Sequence, residues 1–132
     1  MDLSKCMQNR RLLADEFKAC RQVFAALGDE TRQLIILAML ENPAHGMRVG
    51  EISGNTHLSR PAVSHHLKIL KDVGIIAMYR QSTKNYYYVN TETEIWKNML
   101  NLVNHVCEIS EEAEKIKKLS DGGIHYGINE SN

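Results

Sequence analysis

The sequence lacks the features that mark disulfide-rich, membrane-spanning and secreted proteins. Its three cysteines are odd in number and widely spaced, which argues against a disulfide framework. No uninterrupted apolar run approaches the length that spans a bilayer. Residues 1–15 are polar and charged, unlike a secretory signal. We therefore expect one soluble, cytoplasmic domain.

The sequence also lacks the common catalytic motifs. It contains no nucleophile elbow, no glycine-rich phosphate loop and no zinc-protease helix. The neighbouring His65 and His66 suggest metal or general-base chemistry, but adjacent side chains on a helix point about 100° apart. We therefore expect that the protein is not an enzyme.

There is no excess charge of either sign, since 16 basic residues balance 16 acidic ones. The charges are unevenly distributed, however. Between His57 and Tyr86, five basic residues stand against one acidic residue, so this segment carries +4 and the remainder −4. Phosphate binding depends on the local patch, so the segment, and not the total, indicates a nucleic-acid partner.

Residues 59–74 show the pattern of a single helix with two unlike faces. Ser59 is a suitable N-cap, and Pro61 lies in the first turn, where its missing N–H costs nothing. Gly74 stands where a left-handed C-terminal residue is expected. The apolar group is Val63, Leu67 and Leu70, and the polar group is Arg60, Ser64, His65 and Lys68. A short helix of this kind is what the DNA major groove accepts.

The flanking segments predict a winged helix-turn-helix. Residues 48–53 indicate a short helix and residues 54–58 the tight turn after it, an arrangement in which the second helix reads DNA. Residues 75–80 and 86–89 are rich in β-branched and aromatic side chains, separated by turn-forming residues 82–85, which predicts a β-hairpin. The predicted fold class is mainly α with a small β-hairpin.

Helical spacing of apolar residues predicts three more helices, at about residues 8–26, 31–41 and 93–119. The middle one follows the acidic residues Asp29 and Glu30 and is apolar nearly all round, so we expect it at the centre of the core. The predicted organisation is a single domain over residues 1–119, with the helix-turn-helix at about 48–74, the wing at about 75–89, and a flexible tail at 120–132.

Three sequence motifs occur in order before and at the start of the predicted wing. They are Phe-Ala-Ala-Leu-Gly-Asp-Glu-Thr-Arg at 24–32, Ser-His-His-Leu-Lys-Ile-Leu at 64–70, and Gly-Ile-Ile at 74–76. In this combination the chain resembles the arsenical-resistance repressor (ArsR/SmtB) family, over roughly residues 20–108. The resemblance implies a homodimeric prokaryotic transcriptional repressor that binds double-stranded operator DNA and leaves it when it senses a signal.

The recognition helix and the wing supply the candidate DNA contacts. A guanidinium near the helix start can bind guanine O6 and N7 in a bidentate manner, so Arg60 is the predicted base contact. Many relatives have glutamine there, so Arg60 should favour a different base. The other candidates suit base edges, phosphates or the minor groove, and a solvated surface charge is the alternative for each. The predicted set is Ser59, Arg60, Ser64, His65, Lys68, Arg80 and Lys84. We expect His66 to be structural.

The first and last helices carry more apolar surface than a small winged-helix core can cover. The resemblance implies that these helices pair across a dimer, and a palindromic operator read by two recognition helices requires two copies. The alternative is that both helices pack only within their own subunit. The predicted interface residues are Leu13, Phe17, Cys20, Trp96, Met99, Leu100 and Val103.

The resemblance supplies two metal-site patterns, and the chain departs from both. The Cys-x-Cys pair expected before the recognition helix is absent from residues 48–54. The second pattern, Asp-x-His-x10-His-x2-Glu or His, appears as Glu92-x-Glu94-x10-His105-x2-Glu108, with glutamate at the first histidine position. These four side chains could hold Zn²⁺ or Mn²⁺, since both accept oxygen ligands. Solvated helix charges explain them more simply, so we expect a lost site and no required cofactor.

Cys6, Cys20 and Cys107 raise the alternative of a redox switch. Cys20 and Cys107 lie on apolar stripes of helices that could pack together, but cysteine on such a stripe usually acts as a small hydrophobe.

No inducer is identifiable, so two other functions stay open. One is a constitutive winged-helix regulator without a ligand site, and the other is a winged-helix module that binds a protein partner.

Overall fold

The computed structural model describes residues 3–120. In this part of the chain five helices and one hairpin follow one another, and no helix is long and apolar enough to cross a bilayer. The elements are α1 (Leu3–Leu27), α2 (Glu30–Glu41), α3 (Val49–Thr56), α4 (Arg60–Val73), β1 (Ile76–Gln81), β2 (Lys84–Val89) and α5 (Glu94–Ser120). The predicted fold class is therefore confirmed. Of the predicted tail at 120–132, Ser120 instead ends α5, and the rest lies outside the described residues.

Both ends of α4 form as the sequence predicts. Ser59 has an extended backbone, and its Oγ accepts a hydrogen bond from the Ala62 N–H at 3.3 Å. Gly74 is left-handed, with φ 97°, and its N–H donates to the carbonyls of Leu70 and Lys71. These contacts satisfy backbone groups that a helix end otherwise leaves unpaired.

The wing is an antiparallel hairpin with a shorter turn than the sequence indicates. Ile76 pairs with Val89 at its base and Gln81 with Lys84 at its tip, so only Ser82 and Thr83 form the loop. Ser82 takes φ 60°, which lets the chain reverse within two residues, so the predicted turn over residues 82–85 is too long. At the outer edge of β2, Met47 and Tyr87 exchange two backbone hydrogen bonds of 2.8 and 2.9 Å.

The core lies between the helix-turn-helix and the base of the wing. Of the three consecutive wing tyrosines, Tyr87 packs against this core. The buried residues of the core come from α1, α2, α3, α4 and β1, and from the connections that precede α3 and β1. The buried set is Val23, Ala26, Ile35, Met39, Met47, Ile52, Val63, Leu67, Leu70, Ile75 and Ile76.

The helix-turn-helix has a longer first helix and a shorter turn than predicted. Residues 54–56 continue α3, and the connection to α4 is only residues 57–59. Thr56 is buried, and its hydroxyl donates to the Ile52 carbonyl at 2.7 Å, which supports the last turn of the helix. The helix ends at His57, which adopts a left-handed conformation with φ 59°. The prediction of a turn at Gly54 is therefore wrong.

The expectation that α2 is central to the core is only half right. Ile35 and Met39 are buried, but Leu34, Leu37 and Leu40 are between 44% and 60% exposed. A helix that contacts its core along one side can bury one stripe, so leucines placed around the remaining surface face solvent.

The first and last helices pack on each other within one subunit. They run antiparallel, because Lys5 Nζ lies 3.3 Å from Glu112 Oε1 and His105 Nδ1 lies 2.7 Å from both Glu16 carboxylate oxygens. α1 begins at Leu3, earlier than the predicted residue 8, whereas α5 matches its prediction within one residue. Pairing inside the subunit leaves an apolar face on both helices exposed.

Two glycines test where the helices end, because Gly74 terminates α4 whereas Gly54 lies inside α3. Replacing Gly74 with alanine should lower the free energy of unfolding by about 1 kcal/mol or more, because φ 97° strains a residue with a Cβ. Gly54 lies inside α3, and a Cβ built there meets no atom within 4 Å. Gly54→Ala should therefore raise the free energy of unfolding by about 0.4–1 kcal/mol. Urea denaturation of the three proteins measures both changes, and shifts of the same sign would contradict this account.

Candidate DNA-binding surface

Helix α4 separates its residues cleanly between the core and solvent. Val63, Leu67 and Leu70 are at most 1% exposed. Every polar residue predicted to read DNA from this helix is exposed: Ser59, Arg60, Ser64, His65 and Lys68. The polar face can therefore approach another molecule without any change in the core.

Arg60 is the first residue of α4 and lies beside the first turn of α3. Its guanidinium makes no hydrogen bond or ion pair with the part of the chain that the structure describes. All of its N–H donors are therefore available to a base edge or a phosphate, as bidentate recognition requires.

The other polar side chains of this face are held weakly. Lys68 Nζ pairs with Asp72 Oδ2 at 3.0 Å, but both side chains are more than 60% exposed. Such a surface pair contributes about 0–1 kcal/mol, so a phosphate can replace the carboxylate at little cost. His65 contacts His66 edge-on, with ring centroids 5.3 Å apart.

The wing carries two exposed cations near its tip. Arg80 Nε donates to the Ser82 carbonyl at 3.2 Å, which orders the turn and leaves the terminal nitrogens free of that bond. Lys84 is exposed at the first position of β2, opposite Gln81. Together they give the hairpin tip a positive charge.

His66, which we expected to be structural, is half-buried behind this surface. Its Nδ1 lies 3.4 Å from Arg32 Nη1 of α2. Asp29, the N-cap of α2, accepts a hydrogen bond from the Arg32 backbone N–H at 3.0 Å, and this bond holds the pKa of Asp29 below its usual range. The contacts place the recognition helix relative to the start of α2.

Comparisons with known proteins agree with this geometry. The model of the arsR family of bacterial regulatory proteins matches residues 29–77. The transcriptional repressor SdpR of Bacillus subtilis is 37% identical over 86 residues, which cover 62% of this chain and 90% of SdpR. This chain belongs to the arsR family. It is a winged helix-turn-helix transcriptional regulator.

Two solved structures share the fold of this arsR-family regulator. The ArsR-like transcriptional regulator from Rhodococcus sp. RHA1 has a TM-score of 0.69 at 22% identity, over 84% of this chain and 98% of that one. The homodimeric winged helix-turn-helix DNA-binding domain Mb0332 from Mycobacterium bovis has a TM-score of 0.52 at 19% identity. The latter match covers 89% of this chain and 94% of that domain.

The predicted interface residues of this arsR-family chain fall into two groups. Cys20 is buried within the subunit, and the Trp96 indole N–H donates to the Asn90 carbonyl at 2.6 Å while its ring packs against the core. Leu13 and Met99 are half-buried. Phe17, Leu100 and Val103 are each more than half exposed. The exposed group is the one available to a second copy.

The four candidate metal ligands do not converge within one chain. Glu92, Glu94 and Glu108 are exposed, and Glu94 lies 3.7 Å from Lys97 Nζ. His105 Nδ1 is taken by Glu16, which leaves Nε2. Between residues 3 and 120, no three His, Cys, Asp or Glu side chains are grouped as metal ligands. This does not test metal binding by an assembled dimer, so the expected loss of the site stays a prediction.

The three cysteines have different surroundings, and all are free thiols. Cys6 is half-buried, Cys20 is buried, and Cys107 is exposed. Cys20 therefore behaves as part of the core, in agreement with its position on an apolar stripe.

Two residues of the surface escaped sequence reasoning. Lys71 is exposed on the same face of α4 as Arg60, Ser64 and Lys68. The sequence does indicate this position, because Lys71 follows Arg60 by 11 residues, which is close to three helical turns. Gly50 of α3 lies beside the Arg60 side chain, whose Nη2 is 3.0 Å from the position of a Cβ built on Gly50. No local sequence pattern indicates the proximity of Gly50 and Arg60, because these residues belong to different helices.

Proposed function

We propose that this arsR-family protein is a homodimeric repressor that reads a palindromic operator in double-stranded DNA. The start of α4 from each subunit enters the major groove, and the hairpin tip meets the flanking phosphates or the minor groove. The observation that carries the proposal is the division of α4, in which the polar residues predicted to read DNA are all exposed while Val63, Leu67 and Leu70 are buried.

The charge distribution supports this assignment. The segment from His57 to Tyr86 has a net charge of +4 in a chain of zero net charge, and its exposed cations lie on α4 and the hairpin tip. A dimer presents the patch twice. The positive patch attracts phosphate and makes binding strongly dependent on salt, while the neutral total keeps non-specific binding modest. We accordingly place the protein in the cytoplasm, bound to DNA.

The exposed apolar face of α1 and α5 supports the dimer. Phe17, Leu100, Val103 and Val106 are between 48% and 58% exposed on helices whose other sides are already packed. Large exposed apolar patches on soluble proteins mark interaction sites. SdpR is a repressor and the Mycobacterium bovis domain is homodimeric, which agrees with both parts of the proposal.

Arg60→Ala tests the reading of bases. It should weaken binding to the preferred duplex by about 1–3 kcal/mol and relax the preference at one base pair. Arg60→Lys keeps the charge but loses the bidentate fork, so it should relax the same base pair with a smaller loss of affinity. Selection from a random duplex library gives the preferences, and fluorescence anisotropy gives the affinities. Unchanged preferences in both variants would remove Arg60 from base reading.

Lys84→Ala tests the wing. Loss of a phosphate contact should weaken binding to all duplexes alike and reduce the salt slope by about one unit per subunit. Lys115→Ala removes an exposed lysine far along α5 and serves as the matched control. Anisotropy titrations at several salt concentrations measure the slopes. A loss confined to one sequence, or an equal loss in the control, would contradict a phosphate role for Lys84.

The double variant Leu100→Glu, Val103→Glu tests the dimer. Charges on the exposed apolar face should prevent association, because burying an unpaired carboxylate is costly. Asn101→Glu adds a charge at an exposed position of the same helix, about 100° or more around its axis from Leu100 and Val103, and should leave the dimer intact. Sedimentation equilibrium gives the masses, and circular dichroism checks the fold. A folded double variant with the mass of two chains would place the interface elsewhere.

A further inference from the structure

The guanidinium of Arg60 lies where a side chain on Gly50 would be. A Cβ built on Gly50 would stand 3.0 Å from Arg60 Nη2, 3.3 Å from Cζ and 3.7 Å from Nε. A methyl group at this position would be tighter than ordinary van der Waals contact, so the guanidinium would have to shift by a few tenths of an ångström. The two residues belong to different helices, since Gly50 is in the first turn of α3 and Arg60 opens α4.

The backbone of Gly50 does not require glycine. Positive φ occurs only at His57, Gly74 and Ser82 among residues 3–120, so another residue could adopt the conformation of Gly50. Glycine is also a poor helix former, which makes it a costly choice at this position. Gly54 in the same helix has open space around its Cβ position, so crowding by Arg60 is particular to Gly50.

The first turn of α3 bounds the Arg60 guanidinium on one side, where the Cβ position of Gly50 lies 3.0 Å from Nη2. The guanidinium has no hydrogen bond or ion pair within the described chain, so no polar contact fixes its direction. A free arginine side chain samples many rotamers and loses that freedom when it binds. A side chain that is already restricted to the binding direction loses less, and the gain appears as affinity and selectivity.

We propose that Gly50 is a positioning residue for Arg60 and thereby determines which base the regulator prefers. The absence of a side chain at position 50 lets the guanidinium lie against the first turn of α3, from where it reaches the groove. The inference rests on the proposed base-reading role of Arg60. It makes operator preference depend on a residue that presents no side chain to DNA.

A double-mutant cycle on the full chain tests this coupling. Gly50→Ala and the control Gly54→Ala are each made in the original sequence and together with Arg60→Ala. Anisotropy is measured on the duplex selected by the original protein and on the duplex changed at the base pair that Arg60→Ala relaxes. Urea denaturation checks folding, and alanine in place of either helical glycine should not lower stability.

We expect Gly50→Ala to weaken binding to the selected duplex and to reduce discrimination at that base pair. The loss should be between about 2- and 150-fold in the original sequence and absent when Arg60 is already alanine. Gly54→Ala should change neither value in either background. Because Gly50→Ala does not remove a charge, the salt slope should stay the same.

Two results separate the failure of this inference from the failure of the proposed function. An equal effect of Gly50→Ala in both backgrounds, or unchanged discrimination at the base pair, would overturn the positioning role and leave base reading by Arg60 intact. If Arg60→Ala itself leaves the base preference unchanged, the proposed role of Arg60 fails, and the role of Gly50 is overturned with it.

Discussion

The position of the recognition helix depends on the guanidinium of Arg32. Its Nε donates to the Ala26 carbonyl at 2.8 Å and its Nη2 to the Ala25 carbonyl at 3.2 Å, both at the end of α1. Its Nη1 lies against His66 of α4, and the side chain is only 14% exposed. One side chain of α2 therefore joins α1 to α4. A displacement of α1 relative to α4 has to break these contacts or carry the recognition helix with it.

Helix α4 contributes to stability and to function through opposite faces. Burying each of Val63, Leu67 and Leu70 contributes about 1.5–3 kcal/mol. The outward face contributes little, because the Lys68–Asp72 pair is exposed and Arg60 has no polar partner in the described chain. Substitutions on the inner face should therefore unfold the protein, whereas those on the outer face should change DNA binding alone. Apart from the N-cap Ser59, residues of this surface can change with little cost to the fold.

The elements that sequence reasoning predicts well are those set by local chemistry. The Ser59 cap, the left-handed Gly74 and the hairpin each depend on residues within a few positions of one another. The wrong predictions concern helix bounds and buried faces that depend on tertiary contacts. Thr56 is buried and extends α3 past Gly54, a residue that usually indicates a turn. The leucines of α2 satisfy a helical pattern, but only the core shows which of them it covers.

The candidate site divides in the same way. The exposed polar face of α4 follows from helical period, but contacts between distant residues do not. His105 pairs with Glu16, 89 residues away, and this polar contact, together with Lys5–Glu112, holds α1 and α5 together inside the subunit. The apolar residues Phe17, Leu100 and Val103 of the same two helices face outward. One helical pair can thus complete its own subunit and offer an apolar surface to a second one.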